Sequence, residues 1–475
     1  MSAMRTCMWS LTAAVLAAVP MGCSVPSAKQ AQGAVEADLE SRFGKPTPLN
    51  ESGAEAIREM LADKVLDADE AVRVAIANNK RLRSILEELN IARAEIWRAS
   101  LPPNPVVGGE VQFIESGGGD LLELSVAQNI IDILLIPRRR QVASERFEQV
   151  KAEVTAAVVD LATEVRASYR RLQAQSELVG LFVAANEATF LTYDAARRLR
   201  EAGNIIEVEM LTEQALYEET KIVLTQARVV EQQERENLNA LLGIWERSGE
   251  NWDISRRLPT PEPLTVSPDA LEKQALEASL DLEAMRHKIT ALGHEVGLRR
   301  LEVTLPTGTL GGIAEREADG TWSGGPLASL SVPVFNWGQA VGAEAQAHLR
   351  KAYEEYTDLA IRLRRTARST FLATSTAAAN SRYLRERLLP LRGQITEQFQ
   401  RQFNAMQLGV FQLLQVRRQE LAAGRRYVET LRDHWLARVQ LEAILLGRLP
   451  MGGYGISSPA AGSNIALGGG GGGGH

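Results

Sequence analysis

Apolar side chains between residues 154 and 172 fall in steps of four and three: Val154, Val158, Leu161, Val165, Ser168 and Leu172. The same beat returns in Tyr356, Leu359, Leu363, Thr366 and Thr370. A mean spacing of about 3.5 residues is that of helices packed as a coiled coil. The pattern predicts two long helices, one from near Arg138 to about Ala202 and one from about Gln339 to Leu408. Pro390 should kink the second. Each would be on the order of 100 Å long, more than a globular domain measures. The first ends in "EAGNII", where Gly203 can adopt the left-handed conformation, and the second in "LGVF" around Gly409.

Elsewhere the period shifts to two. Val107, Val111 and Phe113 share one strand face, with Glu110 and Gln112 on the other. Leu122, Leu124 and Val126 oppose Glu123, Ser125 and Ala127, and Leu330, Val332 and Val334 oppose Ser329 and Ser331. A strand around "VTLPTGTLGGI" alternates poorly, and its glycines mark bends. Strands of this length, apolar on one face and small or polar on the other, suit either a soluble antiparallel sheet or an outer-membrane barrel.

The plan is used twice. "DEAVRVAIANNKRLRSILEELNIARAEIWRASLPPNP" (69–105) has the layout of "PDALEKQALEASLDLEAMRHKITALGHEVGLRRLEVTLP" (268–306), with Leu82 matching Leu282 and Glu95 matching Glu295. "NLNALLG" (237–243) matches "LEAILLG" (441–447). The expected organisation is a leader over 1–23, an N-terminal linker or anchor segment over 24–67 and a first repeat over 68–243. A Pro-rich connector over 244–267, a second repeat over 268–449 and a disordered Gly-rich tail over 450–475 follow. Residues 68–100 and 205–242 together have nearly the length of one long helix, so stacked end to end they would run beside it.

Composition narrows the compartment. Of 475 residues 45% are hydrophobic, yet beyond the leader no run reaches eighteen apolar residues, which argues against membrane-spanning helices. Arg5, the apolar "WSLTAAVLAAV" and "PMGCS" read as an export signal. The two cysteines, Cys7 and Cys23, both lie in or at it, so the mature chain has no internal disulfide or cysteine metal site. Cys23 sits where a lipoprotein is cleaved and acylated, although Pro20 and Met21 depart from the usual pattern. The net charge of −6, without a basic run, excludes a nucleic-acid-binding role.

Four strands cannot close a barrel, and open edges cannot lie in lipid. Three copies would supply twelve strands, with the helices continuing the tube. The expected fold is mainly α within an α+β class: long coiled-coil helices forming an α-barrel, plus four strands per chain toward a trimeric transmembrane β-barrel, by internal duplication. Glu110, Gln112, Glu123, Ser125, Ser329 and Ser331 would face its lumen.

"EAVRVAIANNKRL", "IARAEIWRASLPPNP", "VPVFNWGQA", the Gly-turns "REAGNI" and "MQLGVF", and the two "LLG" helix ends, occurring in the family's order and duplicated, resemble the TolC-like outer-membrane efflux protein family. The resemblance covers nearly all of the mature chain. It implies a homotrimeric duct, lipid-anchored or not, that passes substrates from an inner-membrane pump to the exterior through a periplasmic adaptor. On that resemblance Gly203 and Asn204, with Gly409 and Val410, are the helix-turn tips that meet the adaptor. The family's usual turn at the end of the second strand is replaced here by "QNIIDILLIPRRR".

No catalytic constellation, cofactor motif or metal cluster stands out, and the chain does not read as an enzyme. His287 and His294 lack a third ligand. Glu207, Glu209 and Glu213 either favour a helix dipole or form an acidic ring at the periplasmic entrance. Trp97 and Trp337, near helix–strand junctions, are either interfacial belt residues or locally packed. The competing reading is a periplasmic coiled-coil adaptor or scaffold, which would need no detergent.

Overall fold

A computed structural model of the chain describes residues 25–49, 65–113, 120–245, 252–263, 267–304, 307–405 and 407–449. The leader with Cys23, the first hairpin tip and the Gly-rich tail fall outside those residues.

A helix not anticipated in the linker, α1 (Ala28–Phe43), comes first, with Ser27 and Gln30 forming a capping box. A two-residue strand β1 (Val65–Leu66) follows, then α2 (Ala68–Asn78) and α3 (Lys80–Ser100). Strands β2 (Val106–Gln112) and β3 (Leu121–Asn129) lead into α4 (Ile130–Glu201), and α5 (Glu207–Leu242) returns. The connector holds β4 (Asp253–Ile254), which pairs in parallel with β1. The second repeat is α6 (Pro268–Ala278), α7 (Leu280–Thr304), β5 (Gly308–Arg316), β6 (Trp322–Leu330), α8 (Gln339–Tyr383), α9 (Leu389–Asn404) and α10 (Val410–Leu445).

The first long helix has 72 residues and starts eight residues before the expected Arg138. Its cap explains the difference. Asn129, the last residue of β3, accepts the backbone N–H of Asp132, so strand passes into helix without an intervening turn. The expected seam is buried throughout: Val154, Val158, Leu161, Val165, Ser168 and Leu172 are all under 9% exposed. In the second long helix the regular α-helix is interrupted just before Pro390. A single π-helical turn, Leu384–Leu388, joins α8 to α9, with the Leu389 N–H donating to the Leu384 carbonyl. The wider turn accommodates a ring that carries no N–H and would crowd the carbonyl four residues back.

The short helices stack as the spacing predicts, and side chains seal the joints. Asn78 Nδ2 donates to the carbonyls of Leu242 (2.9 Å) and Gly243 (2.8 Å), and Asn79 Nδ2 to that of Leu241 (2.9 Å). Carbonyls at the end of α5 are thus satisfied by the two asparagines at the junction of α2 and α3. Asn79 and Ser279 cap equivalent helices by accepting the N–H of Leu82 and Leu282. At the second joint the equivalent of Asn78 is Ala278, which has no side-chain donor. Arg42 of α1 takes its place, giving Nη1 to the carbonyls of Ala278 (2.8 Å) and Leu446 (3.0 Å).

Around these joints lies the largest core, which unites Val35, Leu39, Leu66, Leu82, Val158 and Leu242. The connector is strapped to the outside of this waist. Trp435 Nε1 donates to the Pro259 carbonyl at 2.8 Å, and Gln173 Nε2 to that of Ser255 at 2.9 Å.

Side by side, the helices make a wall four wide. Below the waist the order is α5, α4, α10, then α8 with α9; above it, α3, α4, α7, α8. The sheet at the top repeats that order as β2–β3–β5–β6, all antiparallel. The chain is therefore one strip of wall from end to end, with edges β2/α3/α5 and β6/α8/α9.

Candidate functional site

Register assigns every strand residue to a face. Val107 pairs with Val126, Val111 with Leu122, and Gly109 with Leu124, all on the apolar face. Opposite lie Gly108 with Ser125, Glu110 with Glu123, and Gln112 with Leu121. The polar set expected from alternation thus shares one face. β5 adds a carboxylate that alternation missed, because Glu123 pairs with Glu315 and continues the acidic row across three strands. Ser329 joins the same face through Thr309, the two hydroxyls being 2.6 Å apart, and the Ser331 N–H extends the pairing to the Thr307 carbonyl.

The poorly alternating strand is β5, and its irregularity has two sources. Ile313 lies on the polar face opposite Ser125. At Gly311 a Cβ would stand 2.0 Å from the Val126 carbonyl oxygen, so the backbones meet too closely for any side chain. Trp97 and Trp337 are 62% and 68% exposed within the chain.

At the far end the two turns differ. Gly203 has φ 77°, and the Asn204 N–H reaches back to the Leu199 carbonyl at 2.8 Å, closing a left-handed cap. Gly409 is extended (φ −82°, ψ 158°) and gives its N–H to Gln412 Oε1 at 3.1 Å at the start of α10, whose first residue is Val410.

Above the turns the two hairpins touch. Leu216 of α5 packs on Leu414 of α10 against Phe403, and Arg418 reaches Glu219 at 3.1 Å. Glu213 sits beside this contact, 6% exposed, with Oε2 lacking any hydrogen-bond partner. Burial pushes its carboxyl above the usual range, against the pull of Arg417 and a hydrogen bond with Thr192.

Solved structures share this architecture. A membrane protein from Pseudomonas aeruginosa superposes with a TM-score of 0.68 at 18% identity, over 84% of this chain and 99% of that one. The outer membrane protein VceC of Vibrio cholerae gives 0.68 at 14% identity, over 81% and 97%. The CmeC outer membrane channel of Campylobacter jejuni gives 0.65 at 16%, over 80% and 85%. The chain has the fold of the TolC-like outer-membrane channels. In sequence, no family model and no curated protein matches it.

Within this channel fold the acidic residues at the start of α5 do not act as one group. Glu207 is exposed and Glu209 half-buried, whereas Glu213 is enclosed between the hairpins. His287 Nδ1 lies 2.8 Å from Glu145 Oε2, a contact between α7 and α4. Among the described residues no group of three His, Cys, Asp or Glu could hold a metal, and no helix is long and apolar enough to cross a membrane. The barrel–tube junction has a cavity of about 370 Å³. There Arg146 meets Glu295 at 2.9 Å and Arg139 meets Glu302 at 3.6 Å, so its cations are matched from within.

His434 was not visible as special in the sequence. It is 2% exposed, its Nδ1 is 3.2 Å from the Thr374 carbonyl, and burial lowers its pKa.

Proposed function

We propose that the protein is the outer-membrane duct of a tripartite efflux or export system, a homotrimer that passively conducts substrate from a periplasmic adaptor and inner-membrane pump to the exterior. One observation carries this reading. The four-stranded sheet and the four-helix wall end in the same two edges, and both sheet edges are unpaired among the described residues. An open edge is untenable in lipid, and repetition of one strip around an axis removes it.

The apolar face, with Val107, Leu124 and Val126, would then meet lipid. Glu110, Gln112, Glu123, Ser125, Ser329 and Ser331 would line the lumen, joined by Glu315 and Thr309. The turns with Gly203, Asn204, Gly409 and Val410 would meet the adaptor, and Glu207 and Glu209 would give the entrance a negative rim. Cys23 would carry the lipid anchor, holding the N-terminal segment to the periplasmic leaflet of the outer membrane. The organisation into leader, two repeats, connector and tail would stand as the sequence suggests. Nothing in this mechanism asks for catalysis; the pump would supply the energy.

The test is single-particle imaging of the mature protein extracted from membranes in detergent. The duct predicts threefold particles with a helical part on the order of 100 Å long. A monomer stable without detergent would refute it and favour an adaptor or scaffold.

A further inference from the structure

The two edges of the strip carry opposite charge. Below the waist one edge is α5, with eight carboxylates against three cationic side chains. The other is the lower α8 with α9, where residues 362–404 hold nine arginines against two glutamates. Above the waist the signs reverse. There α3 has five cationic residues and three glutamates, while residues 339–361 of α8 have four carboxylates and two Lys or Arg.

Some of these charges are met within the chain: Glu213 is enclosed, Glu219 pairs with Arg418, and Arg364 and Arg368 pair with Glu272. Others stand on outward faces. In α5, Leu216, Thr220, Leu224 and Ala227 are buried toward the chain's own helices. The opposite face carries Leu211, Glu218, Ile222, Val229 and Glu236, at steps of seven, four, seven and seven. In α8, Leu363, Ala367, Thr370 and Thr374 point inward. Its opposite face carries Ile361, Arg365, Leu372 and Tyr383, with Arg387 continuing the line through the π turn. Ile222, Val229, Ile361, Leu372 and Tyr383 are all more than half exposed. Apolar residues at this spacing, so far uncovered, are what a neighbouring helix would bury.

Heights agree as well. Counting about 1.5 Å per residue up from the two turns brings Ile222 and Val229 roughly level with residues 382–393, which include Tyr383, Arg387 and Leu391. Arg382 and Arg387 have no ion-pair partner among the described residues.

We infer that the partner of each edge is the opposite edge of a second copy, and that this joint is keyed by charge: acidic α5 against basic α8–α9 below the waist, basic α3 against acidic upper α8 above it. The inference rests on the trimeric reading and adds to it a rule for register and hand. A copy inverted, or slid by half the tube, would set like charges together. Apolar residues at the centre of the joint hold it, and the flanking charges select its alignment. Head-to-tail contacts of this kind use two different surfaces and close into a ring when the rotation allows.

The experiment uses full-length protein expressed in membranes, extracted in detergent and sized by native mass measurement, with circular dichroism to report folding. One variant carries Glu218→Arg with Glu236→Arg, a second Arg382→Glu with Arg387→Glu, and a third all four changes. The unaltered protein is measured first; a monomer there would remove the duct reading and this one with it. Given a native trimer, each single-edge variant should keep its helical content but lose most of its trimer, and the four-fold variant should regain it. Trimers that persist in both single-edge variants would overturn charge keying alone. So would a four-fold variant that is folded yet monomeric.

Discussion

Arg42 donates to the carbonyl of Leu446, 404 positions away in sequence, at 3.0 Å. With its second bond to Ala278 it ties the end of α10 to the end of α6, beside the Leu280 N–H that donates to the Gly447 carbonyl at 2.8 Å. Gly447, the residue after Leu446, has φ 95°, and a Cβ there would stand 2.0 Å from the Ala278 oxygen. The two backbones meet closely there, and the arginine packs against the same point.

Arg42→Ala should therefore loosen the second joint and leave the first intact. Loss of charge-assisted bonds to two carbonyls that stay buried corresponds to about 1.5–3 kcal/mol. Arg42→Ala with Ala278→Asn should recover part of that, since Asn78 fills the same role in the first repeat. Urea unfolding of the three proteins checks this; equal midpoints would mean that α1 is no part of the joint.

Much of this architecture is legible in the sequence, and the rest is hidden for physical reasons. The seam of α4 reads directly, because burial on one helix face forces its period. The start of α4 does not, because Asn129 is at once the last strand residue and the helix cap. α1 escapes notice since only Ala31, Val35 and Leu39 of its 16 residues are buried, and Arg42 acts on partners far off in sequence. Glutamates at the start of α5 look like dipole partners or an acidic ring from sequence alone. That Glu213 is enclosed follows only from how the second hairpin packs.

Gly311→Ala should break the β3–β5 pairing. The new methyl would meet the Val126 backbone oxygen, which cannot rotate away as a side chain could. Overpacking of this kind costs about 1–3 kcal/mol, more where backbone must move. Gly312→Ala is the control, since a Cβ there meets nothing closer than 3.9 Å. Thermal stability of the extracted protein should fall for the first and hold for the second.

Glu213 predicts a pH dependence. Its carboxyl titrates higher in the folded chain than in the unfolded one, burial being the main cause. The fold therefore prefers the protonated form. That contribution is complete below the unfolded value and is lost as pH rises through the folded one. Glu213→Gln keeps the neutral form at every pH and should stabilise the contact between the hairpins near neutrality by about 1–3 kcal/mol. Hydrogen exchange of α5 and α10 near Leu216 and Leu414, followed from pH 4 to 8, should slow in the variant at the upper end only. A variant that exchanges faster at every pH would show that the charged form is the one the fold holds.

Leu124 and Ser125 are neighbours on opposite faces of β3, and an arginine at each should separate lipid from lumen. At Leu124 the charge would face hydrocarbon, at a cost of about 2–4 kcal/mol near the midplane. At Ser125 it would face water opposite Gly108, which has no side chain. Leu124→Arg should reduce folded protein in the membrane fraction, while Ser125→Arg should fold and change single-channel conductance in a planar bilayer. The opposite result, Leu124→Arg accepted and Ser125→Arg lost, would turn the sheet inside out and move Glu110, Glu123 and Glu315 from the lumen to the outside.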